Sequence, residues 1–168
     1  MRPPKTEIGM AAGPSYVRMK SQIAIKHEMG QVISVIELVS PGDKHSRSEM
    51  QRLVSKSVEL IENGIHLLVV DPFPATPRAP QGIANLILQE IDSTQELPYD
   101  AERPLIAASF QAKPSVVVHL NRFSVGDAIP EMPVFLIEDR YVTLPLDETY
   151  QQVWTLLPQP IRRVFEAV

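Results

Sequence analysis

Residues 32–44 read VISVIELVSPGDK, an apolar strand that carries one carboxylate, Glu37. Apolar side chains occupy both alternating sets of positions, which is typical of a central strand that is covered on both faces. An unpaired charge inside such a strand would be costly, so Glu37 needs a partner. That partner is either a cation of the protein or a metal ion from solution. The choice separates a structural interpretation of Glu37 from a catalytic one.

The segment that follows has the clearest helical pattern in the chain. Ser46 and Glu49 have the spacing of a capping box, and apolar residues recur at helical intervals as far as Ile61. Gly64 comes directly after this pattern, where a glycine commonly ends a helix. The sequence therefore predicts a helix between Ser46 and Gly64.

A second apolar strand, IHLLVVDP, occupies residues 65–72. Strand, helix and strand in this order predict a βαβ unit over residues 32–71, with parallel strands and a right-handed crossover. Ligand sites in such sheets lie at the carboxyl ends of the strands. In this chain those ends carry Glu37 with Ser40 on one strand and Asp71 on the other.

Around this unit, the pattern predicts one globular domain over residues 16–168, preceded by an irregular tail over residues 1–15 that is rich in Pro and Gly. An outer strand ending at His27 forms a hairpin with the Glu37 strand, and residues 72–82 form a proline-rich loop. The predicted fold class is α/β, a mixed β-sheet flanked by helices.

Two strands in the second half of the chain are predicted to extend the sheet. A short helix over residues 82–91 precedes two strands, residues 105–112 and 115–123, that continue the sheet as a meander. A further hairpin turns at Glu138 and Asp139. The last helix is expected to face the core with one stripe of side chains, Tyr150, Val153, Trp154 and Leu157.

Composition excludes several classes of protein. The 168 residues contain no cysteine, so disulfides, zinc–thiolate sites and thiol nucleophiles are absent. The formal net charge of −4 gives no overall attraction to polyphosphate, so contact with nucleic acid would need a local basic patch or a metal. No apolar run is long enough to span a bilayer, and the first residues lack the apolar core of a signal peptide. We therefore expect a cytoplasmic protein without membrane contact.

Three segments together carry a family resemblance: VISVIELVSPGDK, KSVELIENGIHLLVVDPFPATPRAPQGI and PEMPVFLIEDRYVTLPLDETYQQVW. They resemble a bacterial domain-of-unknown-function family, number four-zero-five-eight. The resemblance extends from about Tyr16 to about Leu157. The core unit is more distantly similar to the Uma-two group of putative restriction endonucleases. That group shares a strand ending in Glu, a hydrophobic residue, Leu and Ser-Pro, then a helix that carries Lys, then a strand ending in Val-Asp-Pro.

The second resemblance implies a restriction-endonuclease-like fold, in which an acidic pair holds a divalent cation and a lysine orients or activates the attacking water. Glu37 matches the glutamate of the motif, and Lys56 matches the lysine of the helix. Lys44, just past the Ser-Pro turn, is the other candidate cation. Mg²⁺ or Mn²⁺ is the implied metal, since Mg²⁺ binds one or two carboxylates together with substrate phosphate. No organic cofactor is implied.

The chain departs from the implied pattern at the first acid. The Uma-two pattern has an aspartate a few residues before its glutamate, where this chain has Val32, Ile33 and Ser34. Glu28 is a distant substitute, whereas Asp71 ends the neighbouring parallel strand. The candidate site therefore consists of Glu37 and Asp71 as metal ligands, with Lys56 or Lys44 as the catalytic cation.

Each of these residues also has a structural interpretation. Glu37 can form a buried ion pair with Lys44 or Lys56, and Asp71 can cap the loop that begins at Pro72. Ser40 can cap the turn by forming hydrogen bonds with nearby backbone amides. The histidines show no metal-ligand spacing, and Arg162 with Arg163 form too small a patch to indicate nucleic-acid binding.

Two functions follow as hypotheses. The first is a divalent-metal-dependent phosphodiester hydrolase, with a nucleic acid as one class of substrate. The second is a non-catalytic interaction or scaffold domain that keeps the nuclease-like fold while its acidic site has degenerated. An edge strand or the loop over residues 72–82 offers a surface for a homodimer.

Overall fold

A computed structural model describes residues 22–137 and 139–166 of the chain. In chain order, its elements are β1 (Gln22–Lys26), β2 (Val32–Leu38), α1 (Pro41–His45), α2 (Arg47–Glu62), β3 (His66–Asp71), α3 (Ile83–Ile91), β4 (Leu105–Gln111), β5 (Val117–Phe123), β6 (Met132–Ile137), β7 (Arg140–Leu144), α4 (Leu146–Leu156) and α5 (Gln159–Glu166).

The first five strands form one mixed sheet in the order β1-β2-β3-β4-β5. β2 and β3 are parallel, and every other neighbouring pair in this sheet is antiparallel. The predicted α/β class, the βαβ unit over residues 32–71 and the meander that follows it are confirmed. Strands β6 and β7 form a separate two-stranded sheet.

Helix α2 begins and ends where the sequence predicts. The Ser46 hydroxyl accepts a hydrogen bond from the Glu49 amide at 3.1 Å, which satisfies one of the free N–H groups of the first turn. Gly64 follows the helix with a φ of +76°, a conformation that glycine adopts without steric cost. One element was not predicted: the short helix α1, which the chain forms directly after the Ser-Pro turn.

The core lies on both faces of the sheet. On one face, side chains of β2, β3 and β4 pack against α2 and α3, with Val35, Leu67, Ile83 and Phe110 almost fully buried. On the other face, Leu68 and Val70 pack beneath the β6–β7 hairpin, which contributes Met132. Both faces of β3 are therefore covered, as its continuous apolar sequence indicates.

The last helix forms where the sequence predicts, but its apolar stripe does not face the core as expected. Helices α4 and α5 contain no buried residue, and the side chains of Tyr150 and Val153 are 52% and 56% exposed. The physical reason is that the β6–β7 hairpin already covers the second face of the sheet, so α4 packs against this cluster through its first residue, Leu146.

Some predictions fall outside the described residues. These are the tail over residues 1–15, the beginning of the first strand at residues 16–21, and Glu138 in the β6–β7 turn. The division into tail and single domain stays a prediction. Within the described ranges, no helix has both the length and the apolar character needed to cross a bilayer.

Candidate functional site at the carboxyl ends of the parallel strands

Glu37 and Asp71 lie on the same face of the sheet. Side chains alternate along a strand, so Glu37 shares its face with Val35, and Asp71 shares its face with Val69. In the parallel register Glu37 is opposite Val69, which places Asp71 one diagonal step further along the neighbouring strand. Both carboxylates point toward the layer of α2 and α3, and the whole residues Glu37 and Asp71 are only 5% and 1% exposed.

Glu37 is paired with Lys56. The ammonium Nζ of Lys56 donates to Oε2 of Glu37 at 2.9 Å. The side chain of Glu37 is 7% exposed, whereas that of Lys56, which reaches across from α2, is 42% exposed. One partner of this ion pair is therefore enclosed, and the other remains accessible to water.

Asp71 is paired with Lys44, and this second ion pair is closed on both sides. Lys44 Nζ lies 2.7 Å from Oδ2 of Asp71, and the two side chains are 5% and 2% exposed. The same ammonium donates to the backbone carbonyls of Phe73 at 2.7 Å and Pro74 at 3.1 Å. Because an ammonium group has three N–H donors, these oxygens satisfy all of them. The buried charge of Lys44 is thus fully compensated.

The surroundings of Asp71 have opposite effects on the pKa of its carboxyl group. Burial raises the pKa of the Asp71 carboxyl above its ordinary value of 3.8, because the charged form loses its hydration. Lys44 and the backbone amides of Phe73 and Ile83 lower that pKa, but burial outweighs them. The Phe73 amide donates to Oδ1 of Asp71 at 3.3 Å, so Asp71 also caps its loop, as the structural interpretation expected.

The position of Lys44 depends on a local motif that the sequence predictions missed. Asp43 accepts two hydrogen bonds at Oδ2, from the Ser40 amide at 2.8 Å and from the Ser40 hydroxyl at 2.7 Å. These bonds hold the first turn of α1, and Lys44, which follows Asp43, enters the core. The signal was present, since Ser40 and Asp43 have the spacing of a helix N-terminal box.

The sequence grouped Glu37, Asp71 and Lys56 in one site with Lys44 as an alternative cation. The structure separates these four residues into two ion pairs, Glu37 with Lys56 and Asp71 with Lys44. Glu28, the weaker candidate for a second acid, lies in the turn between β1 and β2, at the opposite end of β2 from Glu37.

The fit of a divalent cation depends on the oxygen ligands that are open to it. Among residues 22–137 and 139–166, no group of three or more His, Asp or Glu side chains is placed to hold a metal ion. Each of the two candidate carboxylates already contacts an ammonium group. A cation that bound both would have to displace Lys56 and the enclosed Lys44, so these residues do not fit a metal site as they stand.

Two open grooves of the described chain lie away from this site. One, of about 580 Å³, is at the amino ends of β2 and β3 and is lined by Val32, Asn63 and His66. Another, of about 460 Å³, lies beside the β6–β7 hairpin and is lined by His119 and Tyr141. Neither groove includes Glu37 or Asp71.

The comparisons with known proteins give no match to this chain, whether against family models, curated proteins or solved structures.

Proposed function

We propose that this chain is a non-catalytic interaction domain that keeps a restriction-endonuclease-like arrangement with a degenerate acidic site. The mixed sheet with a parallel β2–β3 pair and helices packed on one face supports that arrangement. The observation that carries the proposal is the neutralisation of both candidate metal ligands by lysine ammonium groups at 2.9 and 2.7 Å.

The Lys44–Asp71 pair supports a structural role most directly. Catalytic carboxylates that bind a metal and a phosphate must be reached by both, and Asp71 is 1% exposed. Lys44 directs its remaining donors to the carbonyls of Phe73 and Pro74, so the pair joins α1, the end of β3 and the following loop. This arrangement fixes the turn that follows β3.

The interaction role is supported by the exposed C-terminal helices. α4 and α5 present large apolar side chains to solvent, and none of their residues is fully buried. Large apolar surface that a domain does not cover itself is typical of an interaction site.

Metal binding and cleavage test this proposal. We expect titration of MnCl₂ or MgCl₂ into the purified protein to give no heat of binding that distinguishes wild type from Glu37→Ala. Supercoiled DNA incubated with either protein and the metal should stay intact. Glu59→Ala is the matched control, because Glu59 is an exposed carboxylate on the same helix as Lys56. Nicking that is retained in Glu59→Ala and lost in Glu37→Ala would refute the proposal.

A divalent-metal-dependent phosphodiester hydrolase, using Mg²⁺ or Mn²⁺ on a nucleic acid, is the second candidate. The contact between Lys56 and Glu37 favours it, since a half-exposed ammonium beside a carboxylate could stabilise developing charge on a phosphate. In the same nicking assay, this candidate requires activity that is lost in Lys56→Met as well as in Glu37→Ala.

A further inference from the structure

Helices α4 and α5 carry a continuous set of exposed apolar side chains, which we name the C-terminal apolar surface. Its members are Tyr150, Val153, Leu156, Ile161, Val164 and Phe165, with exposed fractions of 52%, 56%, 82%, 45%, 66% and 61%. Soluble monomers rarely leave a group of large apolar residues in water, and such a group marks an interaction site.

The spacing of these residues shows that each helix has one apolar side. In α5, Ile161, Val164 and Phe165 recur at intervals of three and four residues, which places them on one side of the helix. In α4, Tyr150 and Val153 recur in the same way. The rings of Trp154 and Phe165 lie 6.1 Å apart, so the two helices contact each other through these side chains.

The surface is fixed to the domain at the beginning of α4. The Ile129 amide donates to Oδ1 of Asp147 at 3.1 Å, and Leu144 and Leu146 pack against the core beneath the β6–β7 hairpin. A surface that is positioned before binding loses less conformational entropy when a partner docks.

The charges around the surface complement one another. The first turn of α4 carries Asp147 and Glu148, and α5 carries Arg162 and Arg163. In a twofold interface the same patch meets itself, so the acids of one copy can face the arginines of the other. We infer that the C-terminal apolar surface binds a second copy of this chain. This inference rests on the proposed interaction role, and it moves the expected dimer surface from an edge strand or the loop over residues 72–82 to α4 and α5.

The same charges argue against a membrane or a nucleic acid as the occupant. Amphipathic helices that bind membranes carry a polar face rich in Lys and Arg, whereas here Asp147, Glu148 and Glu166 offset Arg162 and Arg163. The formal net charge of −4 gives no attraction to phosphate.

The first test is the mass of the full chain in solution over a concentration series, measured by sedimentation equilibrium. We expect a monomer–dimer equilibrium for wild type and a monomer for Val164→Glu. Val125→Glu is the matched control, because Val125 is 90% exposed in the loop after β5 and the substitution adds the same charge away from the surface. Circular dichroism and thermal melting establish that each variant is folded. A wild type that is monomeric throughout, or a dimer that Val164→Glu does not weaken, overturns the inference.

The second test exchanges the charges. Arg163→Glu and Glu148→Arg should each weaken the dimer about twofold to fivefold per ion pair, the range measured for exposed pairs. The double variant should recover affinity, because the pair is restored with its sign reversed. An effect that is simply additive in the double variant contradicts the proposed pairing.

The third test does not depend on an affinity measurement. The natural sequence has no cysteine, so Val153→Cys and Val164→Cys each introduce a single thiol. A bis-maleimide cross-linker should join two copies through either position, and it should not do so through the control Val125→Cys. Cross-linking through Val125→Cys alone overturns the inference. A monomer in which residues 1–21 of the same chain cover the C-terminal apolar surface also overturns it. Failure here is distinct from failure of the proposed function, which the nicking assay decides separately.

Discussion

The ammonium of Lys44 and the carboxylate of Asp71 lie 2.7 Å apart, and both side chains are almost fully buried. The contact links α1, which follows β2, to the end of β3, and therefore closes the carboxyl ends of the two parallel strands. In many α/β sheets this position holds a ligand. Here it holds an ion pair of the protein itself.

Removing one partner of this pair should be strongly destabilising. Lys44→Met leaves Asp71 buried without its cation, and Asp71→Leu leaves the Lys44 ammonium buried without its anion. We expect each to lower the free energy of unfolding by about 3–5 kcal/mol, measured by urea denaturation. The double variant Lys44→Met/Asp71→Leu should lose less than the sum, because neither charge remains.

The control for these variants is an ion pair with one exposed partner. Lys113 contacts Asp139 at 3.4 Å, and the Asp139 side chain is 88% exposed. Lys113→Met should cost no more than about 1 kcal/mol. A Lys44→Met variant as stable as Lys113→Met would show that the Lys44–Asp71 contact contributes nothing to folding.

The Glu37–Lys56 pair should respond asymmetrically to substitution. Lys56→Met leaves the buried Glu37 carboxylate without its ammonium, and we expect a cost of about 1–3 kcal/mol. Glu37→Gln leaves Lys56, which is 42% exposed and can turn toward water, so its cost should be smaller. Urea denaturation of both variants at neutral pH measures the difference. Equal costs would mean that Lys56 depends on Glu37 as much as Glu37 depends on Lys56.

The pKa of Asp71 predicts how stability changes with pH. Because burial raises this pKa in the folded state above 3.8, the folded protein holds the proton more tightly than the unfolded chain. As the pH rises from 3.8 through the folded pKa, the contribution of Asp71 to the free energy of unfolding should fall. Above the folded pKa this contribution should no longer change with pH.

The measurement is the difference in unfolding free energy between wild type and Asp71→Asn over a series of acidic pH values. Asp92 and Asp100, whose pKa values are lowered, are present in both proteins, so their contributions cancel. A difference that rises with pH would mean that Lys44 outweighs burial and lowers the Asp71 pKa.

A side chain at position 82 should destabilise the fold. Gly82 has a φ of +92°, and an added Cβ would overlap Cδ1 of Ile106, the residue opposite Asp71 on β4. Gly126 has a φ of +95° with no atom within 4 Å of its added Cβ, so Gly126→Ala measures the backbone cost alone, about 1–2 kcal/mol. We expect Gly82→Ala to cost roughly 1–3 kcal/mol more in thermal or urea unfolding, because of the steric overlap.

A second substitution separates overlap from backbone strain at Gly82. Ile106→Val removes the Cδ1 atom that the new Cβ would meet. The double variant Gly82→Ala/Ile106→Val should therefore be more stable than the sum of the two single changes implies. Strict additivity would rule out the overlap as the cause.

Local patterns in the sequence predicted much of the fold. Alternation and helical spacing gave the β2–α2–β3 unit, and the boundaries of α2 followed from Ser46 and Gly64, because caps act within one turn of the chain. The helix α1 was missed, although the spacing of Ser40 and Asp43 was available. The apolar stripe of α4 was identified, but its direction was wrong, because a stripe does not specify which surface will cover it.

The order of the residues was enough to place a carboxylate at position 37 in an apolar strand and Asp71 at the end of the neighbouring strand. Which lysine each acid contacts follows from the tertiary structure. Lys44 and Lys56 are both within reach of the carboxyl ends of the strands. Which acid each lysine contacts depends on how α1 turns after Ser40 and how α2 crosses the sheet. Pairing between distant residues is fixed by packing, since a charge is stable in the core only where the packed chain brings a counter-charge to it.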